Sequence, residues 1–257
     1  MAHMPNITRY SHGIALCKRG SDGIVRLLMI NRRYTYAFYA FVCGRYNEHT
    51  DAELVALFDK MTIDEKVDVL SLNFQQLWYR IWLDQTQTHL FLSARSKFND
   101  RIVGDGGARL RSLIRRSQKY ATRIWEIPKG HKKYSGEYDM DCAIREFYEE
   151  TGIPRSAYHI TSGVFRINFV EENIRYDLTY FIAITTRDVV QRINSAALEQ
   201  VHEICDMHWT SAAEMEVYAP RDIAGHRRVI HFAKELLKNP FVVASGGDFN
   251  SRTSYLL

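Results

Sequence analysis

The segment from Gly130 to Ile153 restricts the possible folds of this 257-residue chain more than any other. It places Glu146, Glu149 and Glu150 three and four residues apart, so on a helix their carboxylates share one face. The opposite face is apolar and can pack against a sheet; its residues are Ala143, Ile144 and Phe147. Gly152 allows the chain to turn sharply after the helix. The segment therefore predicts a helix that covers a sheet and gathers negative charge on its outer side.

Three carboxylates this close repel one another, so we expect a cation to hold them together. Hard oxygen ligands favour Mg2+ or Mn2+ over zinc. A solvated surface helix with exposed glutamates would show the same spacing. The spacing alone therefore leaves both interpretations open.

The rest of the chain has strand-like ends and a helical middle. Residues 11–33 have the pattern of a β-hairpin, and apolar residues recur with helical period between about 37 and 120. Within this block, Thr62-Ile63-Asp64-Glu65 has the sequence of a capping box. Strand patterns return at 123–127, 163–170, 175–185 and 204–209, and a last amphipathic helix ends near Asn239. These patterns predict an α/β domain formed by residues 4–36 and 121–257, with an α-helical insertion at 37–120.

The composition is that of a globular protein, and its longest apolar runs are far shorter than the roughly 20 residues that cross a bilayer. We therefore expect no membrane contact. Four cysteines lie far apart without metal-ligand spacing, which favours free thiols and a cytoplasmic location. Residues 1–3 have the appearance of a cloning remnant before a start at Met4.

The segment 130–153 resembles the signature of the Nudix family, G-x5-E-x7-R-E-U-x-E-E-x-G-U, in which U is aliphatic or aromatic. The matching residues that follow the glycine are Glu137, Arg145, Glu146, Phe147, Glu149, Glu150, Gly152 and Ile153. The chain departs from the signature at one place, because six residues rather than five separate Gly130 from Glu137. The insertion leaves the helix unchanged, so only the geometry of the preceding loop is not predicted by the signature.

The Nudix resemblance implies a role for each matching residue. Glu146, Glu149 and Glu150 would bind the metal together with the carbonyl of Gly130, and Glu150 would deprotonate the attacking water. Arg145 would orient the glutamates, and Glu137 would pair with it or cap the helix. A downstream carboxylate often completes such sites, and we prefer Glu203 to Glu199. Lys129, in Trp-Glu-Ile-Pro-Lys-Gly, resembles the lysine that reaches the phosphate chain in decapping members.

The resemblance extends to the viral Nudix mRNA-decapping enzymes, those of African swine fever virus and, more distantly, of the poxviruses. The segments that carry it are Asn31–Phe38, Met61–Ile63, Leu77–Trp82 and Cys142–Phe147. It implies the α/β Nudix fold, a mixed sheet between helices, with an α-helical insertion domain. It also implies hydrolysis of the 5′ cap to 7-methyl-GDP and 5′-monophosphate RNA, in the cytoplasm of an infected cell and with shutoff of host expression.

By the same resemblance, Tyr36 would form one face of a sandwich around the cationic 7-methylguanine. Tyr176 would form the other face, and Glu171 and Glu172 would contact the guanine edge. Both tyrosines can also be interpreted as packing residues.

Positive charge is concentrated between Lys97 and Lys119, where seven Lys or Arg and two Asp occur. This stretch would hold the RNA body through its phosphates, although a solvated helix face can carry the same charge. The cations expected to contact phosphate are Arg109, Arg111, Arg115, Arg116, Lys119, Lys132 and Lys133.

Two other functions fit the same residues. A Nudix enzyme for diphosphoinositol polyphosphates or free nucleotides would use the same glutamate helix and basic rim. A non-catalytic RNA-binding module on a Nudix scaffold is the second alternative. The large basic insertion favours capped mRNA as the partner, and the three helix glutamates favour catalysis. The oligomeric state is not predicted.

Overall fold

The computed structural model describes residues 7–82, 88–171, 174–187, 189, 193–194, 197–218 and 224–238. The chain divides into two compact units. The sheet unit consists of Met1–Asn31 and Trp125–Leu257, and the helical unit of Arg32–Ile124. Compared with the predicted insertion at 37–120, the helical unit begins five residues earlier and ends four residues later.

Within the described residues the sheet has seven strands. They are β1 (Ile7–Arg19), β2 (Val25–Arg32), β3 (Trp125–Glu126), β4 (Lys129–Gly130), β5 (His159–Glu171), β6 (Ile174–Thr185) and β7 (Ile204–Thr210). Five follow the order β3-β2-β1-β6-β5, while β4 pairs with β1 and β7 with β2. β1 runs parallel to β6 and antiparallel to β2, which makes the sheet mixed.

Ten α-helices lie in the described parts of the chain. The helical unit contains α1 (Tyr36–Val42), α2 (Asp51–Asp59), α3 (Ile63–Ser71), α4 (Phe74–Ile81), α5 (His89–Lys97) and α6 (Ala108–Arg116). The sheet unit contains α7 (Asp139–Thr151), α8 (Leu198–Glu203), α9 (Met215–Tyr218) and α10 (Ala224–Lys238). None of the helices that the structure describes is both long and apolar enough to span a bilayer.

Helices cover both faces of the sheet because β1 is apolar on both sides. Ile14 and Leu16 belong to one core cluster with Phe147 of α7, whereas Ala15 belongs to another with Phe232 of α10. Alternate residues of a strand point to opposite faces, so the two clusters lie on opposite sides of the sheet. The Nudix prediction of a mixed sheet between helices is confirmed.

The predicted strand at 123–127 was too long. Only Trp125 and Glu126 pair with β2, and the next short strand begins at Lys129. Pro128 separates the two, and since proline has no backbone N–H it cannot donate to a sheet ladder.

A buried carboxylate organises the start of the helical unit. Thr62 and Glu65 form the predicted capping box of α3, which is confirmed. The Glu65 carboxylate also accepts hydrogen bonds from the backbone N–H and the hydroxyl of Thr35, at 2.6 and 2.7 Å. Thr35 is itself the N-cap of α1, so one side chain fixes the N-termini of two helices.

Candidate active site

Helix α7 presents its glutamates because its other face is buried. Ala143 and Phe147 are fully buried against the sheet. The helix ends at Gly152, whose φ of +68° lies in the left-handed region that glycine adopts without steric cost. Glu146 and Glu149 are partly exposed beside this buried face, whereas Glu150 is buried.

Arg145 connects these glutamates to the preceding loop. Its Nε and Nη2 donate to the two carboxylate oxygens of Glu137 at 2.8 and 3.0 Å. Its Nη1 donates to Glu146 Oε1 and Glu149 Oε2 at 2.8 and 2.9 Å. Hydrogen bonding from Arg145 lowers the pKa of Glu137 to about 2, so this carboxylate is ionised at neutral pH. The expected pairing of Glu137 with Arg145 is present despite the additional loop residue.

Gly130 allows Glu146 to approach the loop backbone. A Cβ atom at position 130 would lie 2.0 Å from the carboxyl carbon of Glu146, so no other amino acid fits here without displacing that side chain. The close approach of Glu146 therefore explains why this chain has glycine at this position of the signature.

Glu150 is buried, with 3% of its surface exposed, and its Oε2 accepts the backbone N–H of Lys129 at 2.9 Å. The Lys129 ammonium pairs at 2.7 Å with the buried carboxylate of Glu126. Glu126 was not among the predicted site residues. The sequence did offer one indication of its role: Glu126 is a charged residue between the apolar residues Trp125 and Ile127, and a charge buried in this way needs a partner.

Within the described residues, no group of three or more His, Cys, Asp or Glu side chains is arranged to hold a metal ion. The glutamates are instead engaged by protein donors: Arg145 donates to Glu146 and Glu149, and the backbone N–H of Lys129 donates to Glu150.

The donor set nevertheless fits Mg2+ or Mn2+, which prefer carboxylate and carbonyl oxygens. Glu146 and Glu149 share a single Arg145 nitrogen, so their oxygens are already near each other. These two carboxylates, together with Glu150 and the carbonyl of Gly130, would be the groups that hold the ion. The metal and its ligands remain predictions.

Helix α8 contacts α7 through Gln200. Its side chain is 1% exposed, and Nε2 donates to the carbonyl of Glu150 at 3.1 Å. Glu203, predicted as a further ligand, is exposed at the last residue of α8, and the side chain of Glu199 lies outside the described residues. The sequence did not predict this contact of Gln200. No spacing pattern connects a single amide side chain with a residue 50 positions earlier.

The predicted cap-binding residues belong to different units. Tyr36 begins α1 in the helical unit and is 48% exposed, with the Arg32 guanidinium 5.2 Å from its ring centre. Tyr176 lies on β6 in the sheet unit and stacks on Phe169 at 5.0 Å. The side chain of Glu171 and all of Glu172 lie outside the described residues.

Several predicted phosphate contacts already have partners. Arg109 and Arg116 both pair with Asp51 at 2.9 Å, and Lys132 pairs with Asp139 at 2.6 Å. The Arg111 side chain donates to the carbonyl of Gly106 at 3.1 Å. The other three predicted cations, Arg115, Lys119 and Lys133, are exposed. The uneven charge of the sequence is thus partly neutralised in the fold.

The NUDIX domain profile matches residues 102–232. The mRNA-decapping protein g5R of African swine fever virus is 31% identical over 221 residues, which cover 84% of this chain and 89% of that protein. A putative mRNA-decapping protein of Acanthamoeba polyphaga mimivirus is 24% identical over 216 residues, covering 72% of this chain and 58% of that protein. A C. elegans Ap4A hydrolase binary complex has a TM-score of 0.45 at 12% identity, covering 93% of this chain and 98% of its own.

Proposed function

This chain belongs to the Nudix family, and we propose that it hydrolyses the 5′ cap of mRNA in a reaction that requires Mg2+ or Mn2+. The products would be 7-methyl-GDP and 5′-monophosphate RNA. The observation that carries the proposal is the 31% identity to an mRNA-decapping protein over 84% of this chain. The helical unit is more than a third of the chain, so a match of this extent must include much of it. The likeness is therefore not limited to the Nudix signature.

In the proposed reaction, Glu146, Glu149 and Glu150 would supply the oxygen ligands from α7. A divalent cation held by them would supply charge neutralisation at the pyrophosphate and a lowered pKa of bound water. Glu150 accepts the proton of the attacking water, and the Lys129 backbone N–H holds its carboxylate in place. The Lys129 ammonium, now paired with Glu126, would bind the phosphate chain.

The proposed cap contact is Tyr36. Its ring is half exposed and already carries a guanidinium over one face. A ring that accommodates this flat cation can also accommodate the cationic 7-methylguanine. Tyr176 and the acidic residues Glu171 and Glu172 remain the proposed partners for the rest of the cap.

The helical unit would bind the RNA body. Arg111, Arg115 and Lys119 are exposed cations of α6 and the segment after it. Contacts of this type recognise phosphates and not sequence, which suits an enzyme that acts on many cytoplasmic mRNAs.

A side-by-side assay tests the proposal. The protein is incubated with Mg2+ or Mn2+ and, separately, with cap-labelled RNA, a free cap analogue and a diphosphoinositol polyphosphate, and a chelator is added to matched reactions. We expect labelled 7-methyl-GDP from capped RNA at the highest rate, and none with chelator. Preferential hydrolysis of the inositol substrate, or RNA binding without product, would contradict the proposal.

A further inference from the structure

An open cleft of about 700 Å³ lies in the sheet unit beside the loop that precedes α7. Loop and helix residues form one wall, and β5 and β6 form the floor. Its volume is within the roughly 300–1,000 Å³ typical of small-molecule sites. Its position on the α7 side of the sheet follows from the strand register, because Phe181 pairs with Ile14, which contacts the α7 cluster.

The lining suits a nucleotide, because it combines aromatic and polar groups. At the floor, Val164 is partly buried and Phe181 is a core residue that is only 7% exposed, whereas Tyr138 at the N-terminus of α7 exposes 78% of its surface and is the ring open to a ligand. Ser135 and Ser162 add hydroxyl groups. A nucleobase can stack on such a ring while its sugar and phosphate contact the polar rim.

The lining carries two cations, Lys132 and Arg166, and two carboxylates, Glu137 and Asp139, so its formal charges balance. Lys132 pairs with Asp139 at 2.6 Å, and Glu137 pairs with Arg145. Arg166 is exposed, and among the residues that the structure describes it has neither a hydrogen-bond nor an ion-pair partner; its charge acts on Asp139 at longer range and helps to lower the pKa of that carboxyl. The cleft therefore offers an anion such as phosphate one guanidinium that is not held in a direct ion pair.

A buried polar group beside the cleft also lacks a hydrogen bond. His12 is 4% exposed, and neither of its ring nitrogens has a hydrogen-bond partner among the described residues. Its Nε2 lies 3.7 Å from Asp139, which lines the cleft. Buried polar groups without partners are rare in folded proteins, so the protein alone does not satisfy the polar groups here.

The cleft and the glutamates of α7 share Glu137. This residue lines the cleft, while Arg145 links its carboxylate to Glu146 and Glu149. A ligand in the cleft would therefore lie next to the proposed pyrophosphate site. The wall also contains Lys132, Ser135 and Gly136, from the loop that is one residue longer than the Nudix signature.

We propose that this cleft binds the first transcribed nucleotide of the capped RNA, with its 3′ phosphate at Arg166 and its base against Tyr138. The inference rests on the proposed decapping function and adds to it a specificity site on the RNA side of the scissile linkage. Arg166 favours the transcribed nucleotide over the 7-methylguanosine, because only the transcribed nucleotide carries a 3′ phosphate that this guanidinium can bind.

Direct binding tests the cleft without relying on turnover. The affinities of the protein for a 5′-monophosphorylated dinucleotide RNA and for 7-methyl-GDP are measured by equilibrium dialysis. Arg166→Glu should weaken dinucleotide binding about tenfold or more, since it replaces a charge-assisted contact by repulsion, and should leave 7-methyl-GDP within about twofold. Ser162→Trp, which fills the cleft without changing charge, should have the same selectivity. Arg19→Glu, an exposed arginine at the end of β1, is the matched control and should change neither affinity.

Equal weakening of both ligands, or of 7-methyl-GDP alone, would place the cap guanosine in the cleft and overturn the proposal. Unchanged binding in both cleft variants, or no dinucleotide binding by wild type, would also overturn it. Failure of the decapping function is a separate result, because it appears as absence of product from capped RNA. Failure of the cleft proposal alone appears in a protein that still hydrolyses capped RNA.

Discussion

The carboxylates at the candidate site take their hydrogen bonds from different donors. Arg145 serves Glu137, Glu146 and Glu149, whereas Glu150 is held by the backbone of Lys129. A change at Glu150 should therefore leave the other three in place. Because Glu150 and the other three carboxylates have different donors, a substitution at Glu150 reports on the role of Glu150 itself.

Glu150→Gln should lower the rate of cap hydrolysis about 100-fold or more, because it removes the proposed base and a metal ligand. The amide oxygen of glutamine can still accept the Lys129 N–H, so the fold and the affinity for RNA should hardly change. Single-turnover rates and RNA binding are measured on the same preparations. A variant that retains more than about a tenth of the wild-type rate would remove Glu150 from this role.

Glu137 predicts a pH dependence of stability. Its pKa in the folded protein is about 2, below the ordinary 4.5, so the folded state binds its proton less readily than the unfolded chain. Its stabilising contribution is complete above about pH 4.5 and is lost as the pH falls towards 2. The difference in free energy of unfolding between wild type and Glu137→Gln should therefore be constant near neutral pH and shrink below pH 4.5. Urea unfolding at several pH values measures this difference. If the difference between the two proteins stays constant below pH 4.5, the lowered pKa of Glu137 is contradicted.

Tyr36→Ala should slow turnover of methylated capped RNA more than that of an unmethylated cap, because only the methylated guanine is cationic. We expect at least a fivefold larger effect on the methylated substrate, corresponding to roughly 1 kcal/mol of cation–π energy. The ratio kcat/KM for the two substrates is the measurement. Equal losses on both would make Tyr36 a packing residue.

At the level of secondary structure, the helical unit depends on the contacts at helix ends as well as on its core. Glu65 joins the caps of α1 and α3, and the buried ammonium of Lys66, the next residue, donates to the hydroxyl of Ser117 after α6 at 2.7 Å. Consecutive residues of one short helix thus connect parts of the unit that are distant in sequence. Buried charges of this kind are costly to leave unpaired.

Glu65→Ala should lower the free energy of unfolding of the helical unit by about 2 to 3 kcal/mol, because Thr35 and Thr62 each lose a buried acceptor. Glu53→Ala, an exposed glutamate in the first turn of α2, is the control and should stay within about 0.5 kcal/mol of wild type. Chemical denaturation followed by circular dichroism gives both values. Similar values for the two variants would show that the Glu65 contacts do not stabilise the unit.

Sequence patterns within a few residues predicted the helices well, whereas contacts between residues far apart in the sequence became visible only in the structure. The capping box at Thr62 and the apolar face of α7 were visible from spacing, because both depend on neighbours within four residues. The contact between Glu65 and Thr35 spans 30 residues, and that between Gln200 and Glu150 spans 50. The glutamates were predicted as a group, but their sharing of Arg145 depends on side-chain rotamers that spacing does not determine.

For the molecule as a whole, the proposed function assigns chemistry and RNA affinity to different units. Arg111 and Arg115 lie four residues apart on α6 in the helical unit, and both are exposed. The Nudix glutamates belong to the sheet unit. The two functions should therefore respond separately to mutation.

Reversing both arginines, Arg111→Glu with Arg115→Glu, should weaken binding of long RNA of any sequence. Each lost phosphate contact should flatten the log-log salt dependence by about 0.7, so the slope should change by up to about 1.4. Hydrolysis of a short cap analogue should hardly change.

Arg19→Glu with Arg187→Glu, two exposed arginines of the sheet unit, provide the matched control for net charge. Fluorescence anisotropy over a range of salt concentrations gives the slope. If the α6 variant binds long RNA as tightly as wild type at physiological salt, the basic stretch is a solvated surface.

The parallel pairing of β1 with β6 affects how the chain is made. β1 is synthesised before β6, and Ile7 pairs with Ile174, so the strand must wait for more than 150 residues of synthesis. At roughly 5 to 20 residues per second this delay is about 8 to 30 s. Its residues from Ser11 to Cys17 are all buried in the finished fold, so until β6 is made β1 can pair with β2 on one edge while its other edge lacks its partner and its apolar faces are not fully covered. The helical unit is complete before β6 appears, and nascent chains should therefore depend on chaperones most strongly between the synthesis of α6 and that of β6.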